Sequence, residues 1–461
     1  SRTTSGDVHM KTIFISILAG VEAKNILRTN VLKKIMEPGD IRVVLFLKSK
    51  ERVAFYQKEF NYPNLIYEVI ATYRGSFLDR WFEFLKHYLV RTGTLFLYKK
   101  LVLADKRNYL SYYGSCLLSF IIGRKFFRRI ARFVDFHFIS DPTFDPYFEK
   151  YQPHAVFLAN LFDPQEISLL RMAKQKMVPT IGFINSWDKV TSKGFVRLLP
   201  DKLLVPNDNV QVEALELTDI SSAHLSIVGV PQYDAYTTKD GIISREEFFR
   251  KINADPTKPL IVFCPMGLAF SQSDWNVIDI LHELIEKRLK YPAELLVRFQ
   301  PNDFFEKSKL ESRPWLRYDL PGTRFGTERG IDWDMTGEEL LHLKNTLYHA
   351  SLLVAYASSI VIDIAMFDRP IININFEVKN DQPAIQTPTL RYKTVHYQKA
   401  LATGGIRLVN SLEELVEWVD RYLDDTSLDK DGRARLVTAQ CFKADGKSGE
   451  RIAGAVLKLF K

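Results

Sequence analysis

Cysteine is scarce in this chain: three in 461 residues, at positions 116, 264 and 441, with no paired spacing. That argues against a disulfide framework and a cysteine-based zinc site, and it fits a reducing compartment. Long apolar runs are also missing. The uncharged stretch 108–123 has sixteen residues, whereas a membrane-crossing helix needs roughly 20. No secretory leader is visible. Residues 1–10 (SRTTSGDVHM) read as a cloning remnant ending in a start methionine, and they are set aside from the fold. There is no internal repeat, no low-complexity tract and no groove-reading nucleic-acid motif, so no nucleic-acid partner is expected. One Asp-x-Asp pair stands out, Asp332-Trp333-Asp334, just before an expected helix. A helix cap is favoured there over a metal or ribose contact, and no metal is expected.

What is present is a positive balance and many aromatics. The net charge is +8, with 32 Phe and 20 Tyr. Such a balance favours anionic partners, among them phosphorylated small molecules and anionic membrane faces. Between residues 80 and 132 there are twelve Lys or Arg against two acids, interleaved with aromatic residues in a helical pattern. Two readings of this segment stay open: a buried hairpin of core helices, or an interfacial surface that docks on anionic lipid through cations such as Arg128, Arg129 and Arg132.

The remaining pattern alternates short apolar runs with helical ones. Strands are predicted at 11–18, 41–47, 65–70, 155–160, 180–185, 202–206 and 225–230, with helices over 22–36, 164–175 and 209–217. Most of these runs end on a polar residue or glycine (Asn160, Ser186, Asn207, Gly229), so those ends line one edge of a sheet. Residues 233–258 are polar, with a helical patch at 244–253, and read as an interdomain linker. A second series has strands at 260–264, 294–299, 352–356 and 371–374. Helices are expected over 275–290, 337–350, 411–424 and 446–461. This βαβ rhythm predicts an α/β protein of two Rossmann-like doubly wound domains facing across a cleft. The expected division is 11–240, carrying the 80–132 insertion, then 241–445, then a terminal helix 446–461 packing back across the cleft.

The stretch 352–376 (LLVAYASSIVIDIAMFDRPIININF) is the most informative. It reads as a buried strand, a serine turn, a short helix broken at Arg369-Pro370, and another buried strand. Free backbone N–H groups at a helix start, beside the hydroxyls of Ser358 and Ser359, make an anion site.

Four motifs in residues 150–461 then suggest a family. The turn Tyr356-Ala357-Ser358-Ser359 with Asp363 is similar to an Asp-Tyr-Ser-Ser turn. Asp445-Gly446-Lys447-Ser448-Gly449-Glu450-Arg451-Ile452 is similar to an Asp-Gly-Lys-Ala-Ser-Glu-Arg signature. Arg298-Phe299-Gln300-Pro301 stands where Lys/Arg-x-His-Pro is usual, and Gly229-Val230-Pro231 with Asp234 is like a Gly-x-Pro-x-x-Asp exit. Together they resemble the nucleotide-sugar glycosyltransferases of the GT-B type. The nearest branch holds the CDP-glycerol glycerophosphotransferases and the bacterial capsule and lipopolysaccharide transferases. The resemblance implies a metal-independent glycosyltransferase with an N-terminal acceptor domain and a C-terminal donor domain. Its acceptor would be a lipid-linked or glycan molecule in surface polysaccharide synthesis, its location cytoplasmic or peripheral on the inner membrane face. The family histidine is Gln300 here, which weakens polyol-phosphate transfer from a CDP-alcohol, the first alternative. A non-catalytic nucleotide-sugar binding protein is the second. UDP-sugar epimerases carry a Thr-Glu-Arg-Pro after the serine turn, whereas Thr327-Glu328-Arg329 precedes it here and lacks the proline.

Sugar transfer requires a stabilised diphosphate, an activated hydroxyl and alignment of both. For the donor the expected contacts are Ser358, Ser359, Tyr356, Gly267, Gln300 and Asp363, with Lys447 and Arg451 closing over it. Arg298 is expected to supply catalytic charge. Ser186-Trp187-Asp188-Lys189 lies at a strand end, and the run through Lys193-Gly194 resembles segments of capsule transferases. Asp188 is therefore expected to act as base, with Trp187, Lys193 and Asn160 on the acceptor.

Overall fold

Seven short, mainly apolar runs form the first sheet, of which the edge strand Leu65–Val69 is only partly buried. They are β1 (Lys11–Ser16), β2 (Ile41–Leu47), β3 (Leu65–Val69), β4 (Ala155–Leu158), β5 (Thr180–Phe183), β6 (Lys202–Val205) and β7 (Leu225–Ile227). The computed structural model describes residues 10–71, 75–301, 307–326, 332–379 and 381–460. The Thr327-Glu328-Arg329 comparison and residues 1–9 of the remnant lie outside them. The strands pair in parallel in the order β3-β2-β1-β4-β5-β6-β7. Ile13 and Ile15 pack into one core layer, whereas Phe14 and Val44 pack into the opposite one. Both faces are covered, which is why these strands read as continuous apolar runs and not as alternation.

The second sheet holds β8 (Leu260–Cys264), β9 (Glu294–Arg298) and β10 (Arg317–Asp319). After a two-stranded ribbon of β11 (Thr323–Arg324) and β12 (Trp333–Asp334) come β13 (Leu352–Ala355), β14 (Ile371–Ile374) and β15 (Arg407–Val409). Its order is β10-β9-β8-β13-β14-β15, all parallel. Chain order reverses between β1 and β4 in one sheet and between β8 and β13 in the other. These two switch points are where open α/β sheets bind ligands, beyond the strands' carboxyl ends.

The chain divides into two compact units. Unit 1 comprises the residues up to Arg91, Leu117–Asp234 and those from Asp445; unit 2 comprises Thr92–Cys116 and Ala235–Ala444. The segment 80–132 is thus shared between the units and is not one insertion. In unit 2, helix Gly93–Lys106 is held by Asp105, which accepts the amides of Ala384 (2.6 Å) and Ile385 (3.1 Å), and by Thr94, which accepts that of Val395 (3.0 Å). In unit 1, Arg128 and Arg132 point inward, where both bind Asp219 (2.6 and 2.9 Å). Of the three cations expected to face lipid, only Arg129 is exposed.

Other departures are local. The helix expected over 22–36 is two, Gly20–Ile26 and Asn30–Met36, because Thr29 caps the second by accepting the amide of Val31. The terminal helix Ser448–Leu457 belongs to unit 1 and packs on Asn30–Met36, with Gly449 close against that helix's first turn. Strands β10 and β15 are three-residue strands that no periodicity could announce.

Candidate functional sites at the two sheet edges

At the unit 1 switch point the side chains bind one another. Glu22, in the first turn of helix Gly20–Ile26, is buried; its carboxylate accepts the amide of Ala19 and the Asn160 Nδ2 (2.9 Å). Asn160 follows β4 and acts as a hub. Its own amide donates to buried Glu166 (2.7 Å), and its Oδ1 accepts Lys189 Nζ (2.8 Å). Burial pushes the Glu22 carboxyl up. It pushes Glu166 well up, with the charge of Glu22 adding to the effect. Burial also lowers the Lys189 ammonium. Two buried carboxyls and a half-buried amine, gathered on Asn160 through its side chain (Glu22 and Lys189) and its backbone amide (Glu166), form a coupled acid–base set. Nothing in the sequence joins Glu22, Glu166 and Lys189 (only the topology does); Glu22 and Glu166 were not expected at the site, and Lys189 was expected at that strand end without a role of its own.

Asp188 lies beside this set, half-buried, just before the short helix Lys189–Ser192. Ser186 Oγ donates to its carboxylate, as does Ser192 Oγ at 3.3 Å. Trp187 is half-buried and Lys193 exposed. Asp188, Trp187 and Asn160 therefore occupy the edge where strand-end reasoning put them.

At the unit 2 switch point the serine turn follows β13. Ser358 is half-buried and Ser359 exposed. Ser359 makes no side-chain cap on helix Ile360–Ala365, and Ser358 Oγ receives only a long 3.5 Å contact from Ile360 N. Tyr356 is buried, and its hydroxyl has no partner among the described residues. Burial, then the negative charges of Asp274 and Glu377, drive its pKa far upward, so the phenol stays a neutral donor.

Several expected donor contacts are otherwise engaged. Gly267 has φ +81°, as a close turn requires, but its amide donates to Asp274 at 2.8 Å. A carboxylate of the protein thus takes the place foreseen for a phosphate. Gln300 Nε2 donates to the Pro265 carbonyl at 3.3 Å. Asp363 is buried and accepts the Tyr236 hydroxyl at 2.8 Å, so it fastens the segment entering unit 2 and does not cap its own helix.

Arg298, at the end of β9, is paired with Asp319 (3.0 Å), which also meets His342 Nε2 (3.0 Å). Burial pushes Asp319 up, but His342 and Arg298 more than offset it and hold the carboxyl below its ordinary range. These three residues and Phe248 line a cavity of about 450 Å³. Asp332-Trp333-Asp334 contributes to the ribbon and is not a helix cap; Thr336 and Glu339 cap helix Gly337–His349 reciprocally.

Lys447 and Arg451 lie in unit 1. Lys447 is exposed. Arg451 binds Asp445 (2.8 and 2.9 Å) and the Val228 carbonyl (2.9 Å), and Asp445 is lowered to about 2 by the Arg451 hydrogen bonds. Asp234 accepts the amides of Ser448 (3.1 Å) and Gly449 (2.8 Å). Two of the sequence motifs thus clasp one another where the chain leaves unit 1 and returns. Their residues satisfy the amides a phosphate would need, so Arg451 is a structural tie.

Scanned against protein-family models and against curated protein sequences, the chain matches none. Among solved structures it is similar to MnaA of S. aureus, solved with UDP, at TM-score 0.54 and 14% identity over 98% of each chain. It is similar to the UDP-GlcNAc 2-epimerase of Neisseria meningitidis, bound to UDP-GlcNAc, at TM-score 0.54 and 10% identity over 97% of this chain and 100% of that one. The wall teichoic acid polymerase TagF aligns at TM-score 0.50 and 10% identity over 99% and 90%. At these identities the likeness speaks for fold alone, and that fold is GT-B, built of two Rossmann-like units.

Proposed function

We propose that this protein transfers a sugar from a nucleotide-sugar donor to a lipid-linked or oligosaccharide acceptor in bacterial surface polysaccharide assembly. The observation that carries the reading is the serine turn: at the switch point of unit 2, Ser358, Ser359 and the buried hydroxyl of Tyr356 are left largely unused by the fold. Hydroxyls and helix-start amides at that position suit a diphosphate. The nucleotides seen in MnaA and in the N. meningitidis epimerase support a nucleotide-sugar as the ligand class.

In the proposed step the Asp188 carboxylate takes the proton of an acceptor hydroxyl. That oxygen bonds to the sugar's anomeric carbon, and the bond from that carbon to the diphosphate breaks. The electron pair leaves with the nucleoside diphosphate, whose charge is met by the serine turn without a bound metal. Trp187 offers a ring face to a sugar and Lys193 contacts the acceptor, while Asn160, expected there too, has its side chain engaged by Glu22 and Lys189 and holds that edge in place. Polyol-phosphate transfer, the chemistry suggested by the likeness to TagF, would have to proceed with Gln300 in place of a histidine.

A thermal-shift panel of UDP, GDP, CDP, CMP and dTDP tests the donor class, since a ligand bound only by the native state raises the melting temperature. One diphosphate is expected to stand out. Adding its sugar conjugate with an acceptor should release free nucleotide. A panel without any shift removes the reading, and binding without release leaves a nucleotide-sugar binder.

A further inference from the structure

Two helices of unit 1 are built inside out. In helix Phe77–Leu85, the residues turned to solvent are Phe77, Arg80, Trp81 and Phe84, whereas Asp79 faces the domain and is buried. In helix Lys125–Phe138, the solvent stripe is Phe126, Arg129, Ile130 and Phe133, whereas Arg128 and Asp135 are buried. A surface helix normally does the reverse.

The inward charges tie both helices to the same two arginines. Arg197 binds Asp79 (2.8 Å) and Asp135 (2.6 Å), and Arg171 binds Asp135 (2.6 Å). Arg128 adds its pair with Asp219. These bonds hold the apolar stripes outward, because turning either helix over would strand buried charges, which costs several kcal/mol each. The exposure is large: Phe77 is 73% accessible, Phe126 66%, Phe133 59% and Trp81 51%. Soluble surfaces rarely carry so many large apolar side chains together.

We infer that this face is where unit 1 lies on an anionic bilayer. Three observations select that occupant. The stripes are only 9 and 14 residues long, and among the described residues no helix is long and apolar enough to cross a membrane. The side chains are those that insert at a headgroup boundary, with a Trp among Phe and Ile. The exposed charges within and beside the stripes, Arg80, Lys125 and Arg129, are all cations, while the acids of both helices face inward or, as Glu83 does, sit in ion pairs. Cations beside an apolar stripe complement anionic lipid. The inference stands apart from glycosyl transfer and needs no nucleotide.

The test is co-sedimentation of the full chain with vesicles of phosphatidylcholine alone, or mixed with phosphatidylglycerol, at low and high salt. Binding to the mixed vesicles is expected, weakened by salt and much weaker on the neutral ones. Phe126→Ser with Phe133→Ser should lower it at least about tenfold. Lys125→Glu with Arg129→Glu should do so by about tenfold on anionic vesicles only. Both double variants should keep the wild-type melting temperature, since the side chains they alter are exposed. A wild-type chain that stays in the supernatant overturns the inference, as do variants that bind unchanged. So does a dimer on gel filtration that Phe126→Ser with Phe133→Ser dissolves while no vesicle binds, which would make the face a contact between copies. No sugar donor is present in the assay, so a failed transfer reaction leaves its outcome untouched.

Discussion

The switch points of the two sheets share a topology and differ in chemistry. In unit 1, Glu22, Asn160, Glu166 and Lys189 spend most of their hydrogen-bonding capacity on one another, with Glu166 Oε1 left without a partner among the described residues. In unit 2, Ser358, Ser359 and Tyr356 are left with capacity to spare. A closed set costs stability to break and holds its neighbours in place; an open one contributes little to folding and is free for a ligand. The contrast assigns rigidity to one edge, with Asp188 mounted beside it, and binding to the other.

The contrast is broken most directly through turnover. Asp188→Asn is expected to lower turnover by roughly 10²–10⁴-fold while nucleotide-induced thermal shifts stay as in the wild type; unchanged turnover removes Asp188 as the base. Next, Asn160→Ala should cost about 3 kcal/mol in urea unfolding, because it leaves Glu22 and Lys189 without their shared side-chain partner, although the backbone amide still serves Glu166. By comparison, Ser358→Ala should change stability by less than about 0.5 kcal/mol yet weaken nucleotide binding by roughly fivefold to tenfold. If the two substitutions destabilise alike, the two edges do not differ as argued.

A smaller effect concerns pH. Glu22 and Glu166 are carboxyls whose folded pKa lies above the ordinary 4.5. The folded state therefore binds more protons than the unfolded state between 4.5 and the raised values. Stability should fall as pH rises through that window, once the buried carboxyls must ionise. Melting temperatures measured across it should decline for the wild type and less steeply for Glu22→Gln; an equal decline would clear Glu22. The smallest expected effect is none at all: EDTA should leave turnover unchanged, and a loss restored by a divalent cation would bring a metal into the unit 2 site.

Much of the fold was legible because parallel strands covered on both faces must be apolar throughout. The runs at 41–47 and 260–264 became β2 and β8 with those very bounds. The strand ends were legible too, which placed Asn160, Asp188 and the serine turn at sheet edges. Less legible was how a motif is spent. Asp363 and Arg451 look like ligand contacts in the chain, but the fold uses them on Tyr236 and on Asp445 with Val228. A short motif does not reveal which backbone amides other residues will have claimed, as Asp274 does at Gly267.

The basic aromatic segment shows the same limit. Its composition left both a buried hairpin, the reading it favoured, and a lipid-facing surface open, since periodicity gives the angle between residues on a helix but not which side meets the domain. Arg197 and Arg171, far along the chain, decided that by drawing Asp79 and Asp135 inward.

By itself the sequence determined two α/β units, their strand ends and a serine turn after a buried strand, since hydrophobic period and turn chemistry are local properties. Tertiary structure alone decided which polar groups satisfy each other, because hydrogen bonds such as Glu22 to Asn160 span 138 positions. Only a folded chain brings such partners together and shows which groups are left over for a ligand.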